Sequence, residues 1–86
     1  MIILVAATGK QGEPSKAIGV LAYNTDTRLL RIRFRSGHTW GYPDVSRQMF
    51  SSFRHAESKG GFYNRNFKPR FGGKGRRLYG AAALVA

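Results

Sequence analysis

Apolar and polar residues alternate most clearly between Arg28 and Arg35, where Leu30, Ile32 and Phe34 are separated by Arg31, Arg33 and Arg35. A period of two puts one set on each side of a strand, so this segment reads as a half-buried strand. Upstream, 18–23 reads as a second strand closed by the polar turn Asn24-Thr25-Asp26-Thr27. Downstream, Ser36-Gly37 turns the chain into a third strand over 38–42. After Pro43-Asp44 the period changes. Over 46–56, Met49, Phe50, Phe53 and Ala56 fall on one helical stripe, and Asp44 or Ser46 can cap the start. Gly60-Gly61 is expected to end that helix, with one further helical turn over 62–67. The segment 8–16 reads as a loop, and 68–77 is rich in Gly and cations without a period. The apolar ends, 1–7 and 81–86, are far shorter than the roughly 20 residues that span a bilayer. They are expected to add strands or form a subunit contact.

These elements predict an α+β fold: a small antiparallel β-meander packed on one main α-helix, with a short second helix and terminal strands as additions. The expected core is Ile18, Val20, Leu30, Ile32, Phe34, Val45, Met49, Phe50, Phe53 and Phe62. Trp40 and Tyr42 depend on hairpin register. A two-residue turn at Ser36-Gly37 sets Arg33 against Trp40 and Arg31 against Tyr42, building a mixed cation and aromatic platform. A three-residue loop with Gly37 left-handed flips the phase, so that Ile32 meets Trp40 and Leu30 meets Tyr42. The second register keeps the apolar residues together. In both, Arg31, Arg33 and Arg35 share one exposed face.

The chain carries Ser15, Ile18, Leu21-Ala22-Tyr23-Asn24, Leu30-x-Ile32-x-Phe34, Gly37 and the aromatic pair of Trp40-Gly41-Tyr42. Val45, Met49-Phe50, Phe53, Ala56-x-Ser58-x-Gly60 and Phe62-Tyr63-Asn64-x-x-Phe67 follow. This pattern over 15–71 resembles the KTSC domain, named for the C-terminus of some lysyl-tRNA synthetases and also found as stand-alone bacterial or phage proteins. The run from Ala56 to Asn64 is its most specific part. Three positions depart from the family pattern. Trp40 stands for the usual first Tyr, Ser46 for a common Pro, and Phe71-Gly72-Gly73-Lys74-Gly75 for an aromatic-proline ending. The resemblance implies nucleic-acid binding, RNA above all. The segment 72–86 is then a Gly-rich basic stretch and an apolar tail on a single domain, 1–86.

Charge sharpens this picture. The 86 residues hold 15 Lys plus Arg against 4 Asp plus Glu, a formal net charge of +11. That balance disfavours a DNA mimic, a binder of cationic partners and a carboxylate-rich metal site. The absence of Cys excludes disulfides, Cys-ligated zinc and thiol nucleophiles. A hydrophobic fraction of 42 % is too high for a disordered basic tail. Lys59, Arg65, Lys68, Arg70, Lys74, Arg76 and Arg77 crowd one stretch without an acid, interleaved with Phe62, Tyr63, Phe67 and Phe71. Cations release counterions from phosphate backbones and aromatic faces stack on unpaired bases. Like charges also repel one another in the free fold, so a partner is expected to answer them. For Phe62 and Phe67 a place in the core outweighs a binding role.

His38 and His55 sit in different elements, in no ligand spacing, and no metal is expected. His55 and Glu57 with nearby arginines are the remaining option for acid–base cleavage of RNA. Small basic ribonuclease toxins match in size and charge, but they place helices before the main sheet. The segment 9–16 lacks the spacing of a phosphate loop. The expectation is therefore a cytoplasmic, non-enzymatic module without cofactor that binds RNA or single-stranded DNA. Arg31, Arg33, Arg35, Arg65, Lys68, Arg70, Lys74, Arg76 and Arg77 would contact phosphate, and Tyr63 and Phe71 would stack. Trp40 and Tyr42 join them only in the platform register. The alternative is a phage or bacterial regulator that docks an acidic face of a host protein. No membrane partner is expected, and the apolar termini leave monomer and homodimer open.

Overall fold

The computed structural model describes residues 1–8 and 16–79. The loop expected at 8–16 and the apolar tail 81–86 lie largely or wholly outside these. Five strands form one antiparallel sheet in sequence order: β1 (Ile2–Ala6), β2 (Ile18–Asn24), β3 (Leu30–Phe34), β4 (Thr39–Tyr42) and β5 (Arg76–Leu78). Between β4 and β5 the chain forms α1 (Arg47–His55), then α2 (Lys59–Phe62), a π-helical turn (Tyr63–Phe67), α3 (Lys68–Phe71) and a 3-10 turn (Gly72–Lys74). The α+β class and the meander follow the periodicity, and the apolar N-terminus supplies β1.

The β3–β4 hairpin takes the three-residue register. Leu30 pairs with Tyr42 and Ile32 with Trp40, while Phe34 N–H donates to the His38 carbonyl at 2.9 Å. Gly37, at φ 96°, supplies the backbone geometry that a side chain would strain. The arginine and aromatic platform is therefore excluded, and Tyr42 enters the core.

Strict alternation from Ile18 places Val20 inward, but the structure turns it outward. The pairing steps from Ile18↔Phe34 to Val20↔Arg33, so a bulge at Gly19-Val20 resets the phase. Leu21 and Tyr23 consequently point inward and are fully buried, with Ile18, Leu30, Ile32, Val45, Phe53 and Phe67. Phe34, Met49 and Phe62 pack at the margin of this core.

Ser46, not Asp44, caps α1: its hydroxyl accepts from Met49 N–H at 3.1 Å. The second helical run starts earlier than expected. Ser58 caps it, accepting from Gly61 N–H at 3.1 Å, so Gly60 and Gly61 occupy its first turn rather than a terminator. The run continues without a break to Lys74. Its widened turn, in which Lys68 N–H reaches back to the Tyr63 carbonyl, immediately precedes Pro69. Proline lacks the N–H and its ring presses on the carbonyl four residues back, which a regular turn would hold against it. The widened turn sets Tyr63, Phe67 and Phe71 toward the sheet.

Aromatic rings tie the layers together. Tyr23 stacks on Phe50 at 4.5 Å, and its hydroxyl donates to the Val45 carbonyl at 2.6 Å. Phe67 meets Tyr42, Phe53 and Phe71 at 4.9, 5.3 and 4.7 Å. The Tyr42 and Tyr63 hydroxyls lie 3.0 Å apart.

Two outcomes follow. Gly37→Ala should cost about 1–2 kcal/mol in denaturant unfolding, the strain of a side chain at positive φ; an unchanged midpoint would mean that the loop relaxes to another turn. Burial, and then the Tyr63 hydroxyl, raise the Tyr42 phenol above its ordinary 10.0. The folded state thus keeps a proton that the unfolded chain releases above about pH 10, and stability falls as pH rises through that window. Tyr42→Phe should flatten this alkaline fall in melting temperature; equal slopes would show that Tyr42 ionises normally.

Candidate nucleic-acid interface

Among the described residues the sheet has helices on one face only, and the cations sort by which surface they occupy. On the face away from the helices, Arg31 and Arg33 lie on β3, with Arg76 of β5 in the same cross-strand row as Arg31 and Gly41. Arg33 is exposed and Arg31 is half-buried between Ala22 and Gly41, its direct neighbours across the sheet. Arg35 lies past the end of β3, in the loop, and is exposed. The shared exposed face therefore holds in full only for Arg33; Arg31 spends much of its surface against the sheet.

Arg65 and Arg70 belong to a second surface, the outer side of the helical run. With Ser46, Gln48 and Ser52 they border a cleft of about 520 Å³. A Cβ at Gly61 would lie 2.6 Å from the Arg65 Nη2, so the glycine makes room for that guanidinium along the helix. Lys59, counted with the cations by its place in the sequence, is instead buried. Its ammonium donates to the Ala56 carbonyl at 2.5 Å, at the C-terminal cap of α1, and burial lowers its pKa.

The third surface was not foreseen. Where the β3–β4 hairpin meets the end of α3, a slot of about 430 Å³ opens between sheet and helices. Phe34 and Trp40 line it from the sheet, Tyr63, Lys68 and the Gly72-Gly73 backbone from the helical layer, and buried Tyr42 closes its base. Arg77 pairs with Trp40 across β4 and β5, on the same face, and its guanidinium stands 5.0 Å from the Tyr79 ring. Lys74 is exposed on the 3-10 turn beside it. β5 went unread because a three-residue strand with two arginines has no alternation to detect.

The two aromatics expected to stack on bases are engaged inside the protein. Phe71 stacks on Phe67, with ring planes 22° apart. Tyr63 meets Phe34 edge-on at 5.3 Å and holds the Tyr42 hydroxyl. Trp40 is different: it is half-buried, lines the slot, and has no ring partner among the described residues.

Comparison with known proteins agrees with this architecture. Over 57 residues the chain is 39 % identical to a protein from Tsukamurella paurometabola, covering 66 % of this chain and 85 % of that one. The fold matches the crystal structure of a KTSC domain protein from Yersinia pestis with a TM-score of 0.74 and 25 % identity. That match covers 92 % of this chain and 100 % of the other. Residues 14–71 match the KTSC domain, and the chain belongs to that family.

Proposed function

We propose that this domain is a non-enzymatic nucleic-acid-binding module that takes RNA or single-stranded DNA ahead of duplex. One observation carries the reading. Among the described residues the one ion pair joins the Met1 ammonium to Asp26, at 2.7 Å. Arg65, Lys68, Arg70, Lys74, Arg76 and Arg77 are all exposed, and none has an acidic partner among the described residues. A protein that pairs its cations internally spends them on its own fold. This one presents them outward, with a net charge of +11 raising the local potential. Phosphate backbones answer such a surface through counterion release, which needs no fixed geometry at each cation.

The test is fluorescence anisotropy with labelled single-stranded RNA, single-stranded DNA and duplex DNA, at salt between about 50 and 300 mM. Six phosphate contacts on a single strand give a log–log slope near −4, and replacing one of the six cations by Gln should reduce that slope by about 0.7. Losses should be similar from one cation to the next. Weak binding to all three ligands, insensitive to salt, would overturn the reading. A loss concentrated at exposed Tyr79 with an acidic protein as ligand would put an interaction module in its place.

A further inference from the structure

We infer that the slot between the β3–β4 hairpin and the end of α3 receives one unstacked nucleobase, so that the ligand is a single strand with an accessible base. This rests on the nucleic-acid reading and adds to it a second, non-electrostatic component. The cations alone make no distinction between a strand with bases and a bare phosphate chain.

Four features of the slot select its occupant. Its walls are aromatic: the Trp40 ring packs on the edge of the core but stacks on no other ring among the described residues, and Phe34 and Tyr63 line the slot with it. Flat π surfaces attract any base, whatever its sequence. Its mouth is cationic. Lys68 lines it and Arg77 occupies the cross-strand position next to Trp40, while no acidic residue among the described residues lines the slot, so a cationic ligand is disfavoured. One rim is bare backbone. Gly73 has no atom within 4 Å of where a Cβ would stand, which leaves the approach open to a sugar or phosphate. Finally, the volume of about 430 Å³ falls at the low end of the range for small-ligand sites, roughly 300–1,000 Å³. It suits one nucleotide rather than a groove-filling helix or ribbon.

Entry requires leaving a stack. A base held in a duplex presents only its edge, whereas the slot offers ring faces, so a duplex engages the cations and leaves the slot unfilled. The reading therefore separates two contributions. Phosphate contacts supply salt-dependent affinity for any nucleic acid, and the slot supplies preference for an unpaired base.

The chain contains a single tryptophan, which makes Trp40 emission a report from the slot alone. The experiment uses the full chain with three ligands: a single-stranded DNA of about ten nucleotides, an abasic strand of the same length, and a duplex. The base-containing strand should change Trp40 emission on saturation and bind at least about five-fold tighter than the abasic strand. The abasic strand and the duplex should bind with the emission unchanged. Gly73→Leu, which fills the mouth at a position without left-handed backbone, should erase the advantage of the base-containing strand and keep the salt slope. Equal affinities for the base-containing and abasic strands, with silent Trp40, would overturn the slot while salt-dependent binding upheld the cationic surface. No binding by any strand, even at low salt, would overturn both.

Discussion

Phe67 is where the three parts of this molecule meet: its ring touches Tyr42 of the sheet, Phe53 of α1, and Tyr63 and Phe71 of its own helical run. A domain of 86 residues has little apolar surface to bury, and aromatic side chains bury the most per residue. Removing that ring would leave a cavity bordered by every layer, at a cost of about 3–5 kcal/mol for a buried Phe. The same contacts fix where the helical run lies over the sheet. The slot beside Trp40 depends on that placement, since Tyr63 and Lys68 reach it from either side of Phe67 in the chain.

Much of this was legible from periodicity. The three central strands and α1 appear within a residue or two of where alternation and the helical stripe put them, because each buries one face and exposes the other. The three-residue hairpin register was also the one that kept Leu30, Ile32, Trp40 and Tyr42 together. Other features escaped for local reasons. The bulge at Gly19-Val20 changes phase in the middle of a strand, and an apolar run such as Val20-Leu21-Ala22-Tyr23 reads equally well in either phase. Gly60-Gly61 reads as a helix stop, yet Ser58 caps the helix and Gly61 leaves room for Arg65. Site geometry was least legible. The slot joins Phe34, Trp40, Tyr63 and Gly73 from both layers, and no spacing within one element announces that meeting.

Charge and packing are not independent here. Among the described residues the sheet has no second layer on its outer face, yet Ala22, Thr39 and Gly41 on that face are buried. Small residues in the middle of an open sheet are kept dry by longer neighbours. A Cβ at Gly41 would lie 3.1 Å from the Leu78 Cδ1 and 3.6 Å from that of Leu29. Arg31 stands between Ala22 and Gly41 in the same row and is half-buried, its Nε withdrawn from solvent. Counting every arginine as a phosphate contact therefore overstates the surface that the proposed function can use. Arg31 is half-buried in the sheet and Lys59 donates to the α1 cap, which leaves the exposed cations from Arg65 to Arg77 as the candidates under the proposed function.

That division bears on how so basic a chain folds with one ion pair among its described residues. Unpaired exposed cations repel one another only weakly, because water and salt screen charges more than about 10 Å apart at moderate ionic strength. The exposed cations are spread over several surfaces rather than gathered at one point, which lowers the repulsion further. A concentrated patch would bind one phosphate group more tightly at a greater cost to the fold. A distributed arrangement instead favours an extended polyanion that passes several surfaces in turn. Such a ligand gains affinity from its backbone at each surface, and it acquires a fixed position only where the protein also offers something uncharged. Among the described surfaces, the aromatic slot beside Trp40 provides that in its ring faces.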